Sequence, residues 1–404
     1  MQPHAGDAGH ERFLFSIICL SQSSWDADLP TNRQQIMRRA SERGHRVLFV
    51  DTGPFLGRRV ADVLRRRSPP AALLELIRPV DRTETLSTLA MVNLFPWGHR
   101  NRFTNKLNNW LNAVNVKRVG RHLPGPVVLW IYDPCCGSMI GACGEDMAVY
   151  DCVDDYPSLA FYDTAEKALA HAGDQAAATG SAVVFTTTST LFRRHSALNP
   201  NVHLVGNVGD YAHFEGAVDR SIAARDASGL PRPVIGFAGR FMTGKIDFAL
   251  IDASARRHPD WTILLIGPAD DEALRDLGRL TRLDNVSWLG HRPYEGLPGY
   301  VAAFDVGLCP YQWNDWMRGG FPLKVYEYLA AGKPIVASGN PDLEGMAPDV
   351  VLARGPDEFV AAIENALLYR GPEDVERRRR LARQNTWESR TEQVLRLTQE
   401  QLAG

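Results

Sequence analysis

Three features that define whole classes of protein are weak or missing in this sequence. The formal net charge is −2, with 45 basic and 47 acidic residues, whereas nucleic-acid-binding domains are usually strongly basic. No apolar run approaches the roughly 18 residues that a membrane-spanning helix needs. The apolar run at residues 13–20 is short and lacks the cleavage pattern of a signal peptide. We therefore expect no nucleic-acid partner, no membrane span, and a first buried strand at residues 13–20.

Cysteine is also scarce, with 6 in 404 residues. Cys135, Cys136, Cys143 and Cys152 lie in one stretch, but no C-x-x-C pair and no nearby histidine pair has the ligand spacing of a zinc site. Free cysteine is commonly just a buried residue. We therefore predict neither a metal site nor a disulfide framework, and a reducing, cytoplasmic compartment.

What the sequence does contain is a regular alternation of strand-like apolar runs and amphipathic helical stretches. This α/β alternation is typical of parallel sheets covered by helices on both faces, and 404 residues suffice for two such domains. A segment rich in Ala, Asp, Ser and Pro separates two series and is typical of a linker. We predict a flexible N-terminal tail at residues 1–12, an acceptor-binding domain at 13–214, a linker at 215–233, a donor-binding domain at 234–387 and a returning helix at 388–404.

Residues 321–337 have the pattern of a nucleotide-sugar site. Apolar residues at helical spacing predict a short helix that ends at Gly332, followed by a buried strand at residues 334–337. Glu327 then lies near the middle of that helix, where its carboxylate can accept hydrogen bonds from a vicinal diol such as a ribose. The start of the helix near Pro322 offers backbone N–H groups to a phosphate.

Residues 234–245 predict a second element that contacts phosphate. An apolar strand leads into Gly239, Arg240 and Lys245, at the edge where open α/β sheets bind ligands. The spacing also fits the G-x-x-x-x-G-K loop of P-loop nucleotidases. That loop needs a Ser or Thr hydroxyl for Mg²⁺ at the next position, which is Ile246 here. A P-loop nucleotidase is therefore the less favoured interpretation.

Together these segments resemble the nucleotide-binding motifs of GT-B glycosyltransferases, and residues 205–214 resemble the element that closes the first domain in that family. The resemblance implies two Rossmann-like domains facing each other across a cleft, with a C-terminal helix crossing back to the first domain. It also implies a hexosyltransferase-type enzyme that uses a nucleoside-diphosphate sugar and needs no prosthetic group and no metal. Carried over by position, Arg240, Lys245 and Lys324 would bind the donor diphosphate, and Glu327 would bind the ribose.

One position departs from the resemblance. The large retaining branch has a second glutamate eight residues before position 327, where this sequence has Gly319. In related branches with a P-x-K pattern, the lysine, here Lys324, takes over part of the donor contact. The donor base, the donor sugar and the retaining or inverting course of the reaction therefore stay open.

A predicted strand at residues 147–156 ends in candidates for a catalytic base. Acids at this point would lie at the cleft edge of the first sheet. Some inverting relatives carry their base in the matching stretch, where Asp154 aligns and Asp155 is the reserve. The alternative, that these aspartates form a strand-end turn and a helix cap, stays open.

The remaining candidates rest on the resemblance and on their place in the chain. The turn with His291 and Arg292 would lie near the nucleobase, which backbone groups would largely hold. The aromatic and polar loop at residues 311–318 suits either a sugar platform or packing between domains. The donor-sugar candidates are Asn314, Asp315, Arg318, Gly319 and Gly320, and the acceptor-side candidates are Trp25, Asp26 and Arg33.

Basic and apolar residues interleave at residues 100–121. Such a surface can lie on an anionic membrane, as a lipid-linked acceptor would require, or it can be a solvated helix face. We expect a nucleotide-sugar donor, a saccharide, lipid-linked or small-molecule acceptor, and a cytoplasmic location with possible peripheral contact at the inner face of the membrane. The resemblance implies a role in bacterial polysaccharide or glycolipid assembly. A GT-B-fold epimerase and a non-catalytic sugar-nucleotide-binding protein remain as rivals.

Overall fold

The computed structural model of the protein describes residues 14–27, 30–53 and 55–404. The predicted tail at residues 1–12 and the first residue of the predicted strand at 13–20 lie outside these ranges. Within the described residues, no helix combines the length and the apolar composition that crossing a bilayer requires.

The first domain is built on a largely parallel sheet flanked by helices. Its elements are β1 Ser16–Ser21, α1 Asn32–Glu42, β2 Val47–Asp51, α2 Leu56–Leu64, β3 Val80–Asp81, β4 Leu86–Ala90, α3 Arg102–Gly120, β5 Val127–Ile131, β6 Met147–Cys152, α4 Thr164–Gly180, β7 Val183–Thr186, α5 Ser189–Ser196, β8 Val202–Leu204 and α6 Tyr211–Phe214. Among the described residues the strand order is β3-β4-β2-β1-β5-β6-β7-β8, and β3 pairs antiparallel with β4 while the other pairs are parallel.

The second domain repeats this plan with an all-parallel sheet. Its elements are β9 Val234–Ala238, α7 Phe248–Arg257, β10 Thr262–Ile266, α8 Ala273–Leu280, β11 Val286–Trp288, α9 Leu297–Ala303, β12 Val306–Cys309, α10 Asp315–Gly319, α11 Lys324–Ala330, β13 Ile335–Ala337, β14 Val350–Leu352, α12 Pro356–Ala366 and α13 Pro372–Gln384. A last helix, α14 Trp387–Ala403, follows it. The strand order is β11-β10-β9-β12-β13-β14. The predicted α/β architecture of two parallel-sheet domains is confirmed.

The central strands form because their residues are apolar on both faces. Every residue of β1, β5 and β10 is buried, as parallel strands with helices on both sides require. Polar and charged residues concentrate in the loops after the strands. The cleft between the domains is therefore lined by strand-end loops of both sheets.

Helix α14 returns to the first domain, where it packs against α1 and β7. The fully buried Arg390 anchors it: Nη2 donates to Asp151 Oδ1 at 2.8 Å, and Nη1 donates to the backbone carbonyl oxygen of Gly206 at 2.8 Å and to that of Val205. These carbonyls belong to the segment that connects the two domains. One guanidinium thus ties α14 to both the first sheet and the interdomain connection.

Candidate active site

A cleft of about 220 Å³ lies between the two domains at the carboxyl ends of their strands. This is where open α/β sheets bind ligands. The first domain contributes residues 31–33, Val153, Asp154 and Asn207, and the second contributes Lys245, Tyr311, Trp316, Met317 and residues 320–324.

Lys245 enters the cleft from the loop after β9. Its Nζ lies over the rings of Tyr311 and Trp316, at 5.6 and 5.8 Å from their centroids. Burial lowers the pKa of Lys245 to about 8, the positive charges of Lys324 and Arg240 act in the same direction, and Asp154 opposes them. Lys245 and Lys324 therefore line the cleft together, whereas Arg240 is exposed and does not line it. An anionic ligand would relieve the repulsion between the cations.

Lys324 begins α11, and its side chain crosses the backbone of the strand-end glycine. A Cβ atom at Gly239 would lie 2.3 Å from Lys324 Cε. Any larger residue at position 239 would displace the lysine. The glycine in the predicted phosphate-contacting element thus makes room for a cation from a different segment.

Glu327 lies one turn further along α11, on the same face as Lys324. Burial raises the pKa of Glu327, Lys324 and His213 counteract this, and Asp210 adds to it. In the described part of the chain, no residue hydrogen-bonds to its carboxylate. The carboxylate is therefore free to accept hydrogen bonds from a ligand.

Asp154 faces these groups from the first domain, directly after β6. Burial raises its pKa to about 6, against the opposing charges of Lys245 and Arg33. The contact across the cleft is close, because a Cβ atom at Gly320 would lie 2.8 Å from Asp154 Oδ1. A carboxyl group with such a pKa is largely ionised at neutral pH and can accept a proton.

Asp155, the reserve candidate, has a different environment. Both of its carboxylate oxygens accept hydrogen bonds from Arg194, each at 2.6 Å, and its side chain is 1% exposed. The Cβ atom of Asp155 also fills the space beside Gly319, the position where the large retaining branch has its second glutamate. A Cβ atom at Gly319 would lie 2.3 Å from it. With the domains in this arrangement, a glutamate cannot occupy position 319.

Comparison with known proteins identifies the fold. Residues 232–368, which include Lys245, Lys324 and Glu327, match the family described as Glycosyl transferases group 1. Sucrose-phosphate synthase from Thermosynechococcus elongatus superposes with a TM-score of 0.73 at 16% identity, covering 96% of this chain and 99% of that chain. The Anabaena protein HepE in complex with UDP and glucose has a TM-score of 0.66 at 14% identity, covering 95% and 99%. The protein has the GT-B fold.

One curated relative matches at the sequence level. It is TuaH of Bacillus subtilis, named as a candidate glycosyltransferase of teichuronic acid biosynthesis, and it is 34% identical over 214 residues, 51% of this chain and 53% of the relative. The chain thus spans about half the length of the curated relative that it matches. Because the loop at residues 239–245 lies inside the segment that matches the Glycosyl transferases group 1 family, a P-loop nucleotidase is not favoured. The resemblance to GT-B glycosyltransferases is confirmed.

In this GT-B cleft, the predicted sugar loop divides into supporting and exposed residues. Asn314 caps α10 by accepting from the backbone N–H of Met317 at 2.9 Å, and it donates to the Gly244 carbonyl at 2.6 Å, so it holds the Lys245 loop. Asp315 and Arg318 are exposed and pair with each other at 3.3 Å. Neither lines the cleft, so their roles as sugar contacts stay predictions.

The predicted nucleobase turn follows β11. Gly290 adopts a φ of +72°, which favours glycine, and His291 is exposed. Arg292 donates to the Tyr300 hydroxyl at 2.7 Å and to Asp226 at 3.0 Å. The Arg292 side chain is thus engaged within the second domain, and any base contact of this turn would come from His291 or the backbone.

The three acceptor-side candidates do not lie together. Arg33 lines the cleft and donates to the Tyr156 hydroxyl at 2.8 Å. Trp25 packs edge-on against Phe49 and lines a separate interdomain cavity of about 450 Å³. Asp26 pairs with Arg82 at 2.7 Å. Of the three, Arg33 is the one placed beside Asp154.

Sequence reasoning missed an amide bridge across the cleft. Asn32 donates to the side-chain oxygen of Asn207 at 2.7 Å, and Asn207 donates to the carbonyl of Phe321 at 2.9 Å. The signal was available, because Asn207 lies in the segment that resembles the domain-closing element. Its connection to the loop before α11 is a tertiary contact that no local pattern reveals.

One group of potential metal ligands occurs among the described residues, and it lies outside the cleft. Cys152, Asp174 and His195 are buried, with ligand atoms within 4.8 Å of one another. They already form a hydrogen-bonded cluster, in which His195 Nε2 lies 3.0 Å from Asp174 and the Tyr150 hydroxyl donates to Asp174 at 2.7 Å. The cluster joins β6, α4 and α5 in the core.

Proposed function

We propose that the protein is a glycosyltransferase that moves a sugar from a nucleoside-diphosphate sugar to an acceptor hydroxyl in bacterial polysaccharide or glycolipid assembly. The observation that carries this proposal is that Lys245 and Lys324 of the second domain line one cleft with Asp154 of the first domain. The group 1 domain supports the activity, and the name of the Bacillus relative supports the polysaccharide role.

In the proposed reaction, the bond between the donor sugar carbon and the diphosphate oxygen breaks while a bond to the acceptor oxygen forms. Negative charge builds on the departing diphosphate, and Lys245 and Lys324 stabilise it at fixed positions. Asp154 takes the acceptor proton as general base. Glu327 accepts hydrogen bonds from the ribose hydroxyls, which holds the nucleotide in register with the cations.

For the donor we propose a uridine nucleotide sugar as the first candidate. A structural neighbour from Anabaena was solved with UDP-glucose, and the free Glu327 carboxylate suits a ribose. We propose that no metal is required, because the cations of the cleft can balance a diphosphate.

The acceptor, we propose, binds in a pocket of about 680 Å³ in the first domain. Aromatic rings of Phe55, Trp97 and Phe161 line it, with amide groups of Asn93 and Asn108. Phe55, Trp97 and Phe161 are 41, 67 and 58% exposed. Rings and amides together suit a saccharide with an apolar part.

The neighbouring helix α3 carries an exposed apolar stripe. Phe103, Trp110 and Val114 are 74, 61 and 55% exposed, at the spacing of one helix face, with Lys106 between them. We propose that this face contacts an anionic membrane that presents a lipid-linked acceptor. Trp110→Ala should then reduce co-sedimentation with anionic vesicles but not with zwitterionic ones, and equal binding to both would contradict the contact.

The test of the function combines donor binding with turnover. Lys245→Ala and Lys324→Ala should each weaken UDP binding about 10- to 100-fold, since each removes a charged hydrogen-bond donor to phosphate. Arg279→Ala, which removes an exposed charge from α8 on the same domain, is the matched control. Isothermal titration calorimetry gives the affinities.

Turnover separates the transferase from its rivals. A transferase releases nucleoside diphosphate only when an acceptor is present and forms a glycosylated acceptor. An epimerase converts the donor without an acceptor, and a binding protein leaves it unchanged. Unaltered UDP affinity in both lysine variants would remove the basis of the site.

A further inference from the structure

A second basic pocket lies at the amino ends of the strands of the second sheet, opposite the cleft. It has a volume of about 410 Å³ and is lined by Arg220, Arg232, Lys333 and Arg370 around one carboxylate, that of Asp305. Asp305 immediately precedes β12, and Arg232 and Lys333 lie two residues before β9 and β13, whereas the cleft lies at the other end of these strands. A strand of five residues separates the two sites by roughly 17 Å.

Both oxygens of the Asp305 carboxylate already accept hydrogen bonds. Its Oδ1 accepts from Arg220 at 2.6 Å, from Arg370 at 2.8 Å and from Arg232, and its Oδ2 accepts from the backbone N–H of Val234 at 2.8 Å. Asp305 is 2% exposed. One buried carboxylate therefore organises three guanidinium groups but can balance only one of their charges.

The charges in this pocket are unbalanced. Within the described residues, no second carboxylate pairs with Arg220, Arg232, Arg370 or Lys333. The pocket carries two excess positive charges from the arginines, and a third when Lys333 is protonated.

Lys333 shows the consequence of this imbalance. It is 7% exposed, and its Nζ donates to the Ala302 carbonyl at 3.0 Å. Burial and the charges of Arg220 and Arg232 together lower its pKa to about 7, against the opposing charge of Asp305. A bound anion would favour the protonated form.

The guanidinium groups keep donors for such an anion. Each guanidinium has five N–H bonds. Arg220 uses Nη2 towards Asp305 and the Phe304 carbonyl, and Arg370 uses Nε and Nη1. No described residue accepts a hydrogen bond from Nε or Nη1 of Arg220 or from Nη2 of Arg370, so these groups remain for a ligand.

We propose that this pocket binds a small molecule carrying a phosphate group. A dianionic phosphate matches the excess charge, and guanidinium forks bind its oxygens in pairs. The pocket volume lies in the range of small-molecule sites, so the ligand has atoms beyond the phosphate. This site is independent of the sugar donor.

The experiment must keep phosphate out of the cleft. We would use the full-length Lys245→Ala/Lys324→Ala protein, which lacks two cleft cations, and titrate it calorimetrically with inorganic phosphate and with glycerol phosphate. Binding should persist in this protein. Adding Arg232→Gln and Arg370→Gln should weaken it at least about tenfold, because two charged donors are lost.

Two further variants sharpen the result. Lys333→Gln removes a charge without touching the Asp305 contacts, and it should also weaken phosphate binding. Arg279→Gln removes an exposed charge elsewhere on the same domain and should leave affinity unchanged. Tighter binding of glycerol phosphate than of inorganic phosphate would support an organic ligand, and the reverse order would overturn that part of the proposal.

Two outcomes would overturn the site itself: no phosphate binding in the cleft variant, or equal affinity with and without the pocket substitutions. In either case the Asp305 cluster only holds the linker and strand ends together. Loss of UDP binding is not part of this readout, so the failure of one proposal leaves the other standing.

Discussion

At the scale of single residues, the ionisation of Asp154 links the electrostatics of the cleft to the proposed chemistry. A general base must be ionised, and burial raises the pKa of this carboxyl to about 6. We therefore expect kcat/KM to fall about tenfold per pH unit below about pH 6. Asp154→Asn should lower kcat by about 10²- to 10⁴-fold, leave UDP affinity unchanged, and abolish this acidic limb. Steady-state rates of both proteins between pH 5 and 8 measure kcat and the acidic limb.

Asp154→Asn, which should lower activity, should raise the stability of the fold at neutral pH. Because the folded-state pKa is raised, ionising Asp154 costs more in the folded than in the unfolded protein, and stability from this group is lost as the pH rises from about 4 to about 6. Asp154→Asn should therefore raise Tm at pH 7.5 and not at pH 4. Asp284→Asn, an exposed carboxyl on the other domain, should change neither property. An acidic limb that persists in Asp154→Asn would contradict the assignment.

The family resemblance predicted Lys245, Lys324, Glu327 and Asp154 as site candidates. For Lys245 and Asp154 the strand pattern agrees, because both follow strands whose carboxyl ends a parallel architecture brings together. The resemblance ranked Asp154 before Asp155 by alignment, but no sequence feature gave a physical reason for the distinction. That distinction depends on Arg194, 39 residues further along the chain, which pairs with Asp155. Such pairings are set by tertiary packing and leave no local pattern.

At the scale of elements, α14 depends on one buried ion pair. Arg390 and Asp151 are both fully buried, 2.8 Å apart. Arg390→Ala would leave the carboxylate of Asp151 buried without its charged partner, which costs about 3–5 kcal/mol. We expect a loss of that size in the free energy of unfolding measured by denaturant titration.

The control and the rescue distinguish charge from packing. Arg396→Ala removes an exposed pair with Glu400 on the same helix and should cost less than about 1 kcal/mol. Asp151→Asn added to Arg390→Ala should recover part of the loss, because the unpaired charge is gone. If the double variant is no more stable than the single one, the anchoring is due to shape and not to charge.

The central strands were predictable from the sequence, but the pocket at their amino ends was not. The continuous apolar runs of β5 and β10 indicated buried parallel strands, and the structure has them at Val127–Ile131 and Thr262–Ile266. By contrast, the basic pocket around Asp305 draws its side chains from five separate segments. Nothing in the spacing of those segments predicts that they meet.

At the scale of the whole molecule, several contacts hold the two domains together around the cleft. Asp342 of the second domain accepts hydrogen bonds from the backbone N–H, at 2.8 Å, and the hydroxyl of Ser189 at the start of α5. Gly319 meets Asp155, and Gly209 of the interdomain connection lies against α11, where a Cβ atom would be 2.7 Å from Tyr326 Cβ. Glycine at positions 209 and 319 thus lets the domains approach closely enough for Asp154 to face the cations.

This close approach predicts the effect of a single added methyl group. In Gly319→Ala, the new Cβ would collide with Asp155 across the cleft, whereas alanine at the end of α10 does not harm the helix. We expect kcat/KM to fall about tenfold or more and the radius of gyration in solution scattering to rise, because the collision forces the domains apart. Gly278→Ala in α8, where no atom lies within 4 Å of the added carbon, is the matched control. Wild-type kinetics in Gly319→Ala would mean that the domains do not need this contact for turnover, and the missing glutamate would then require another explanation.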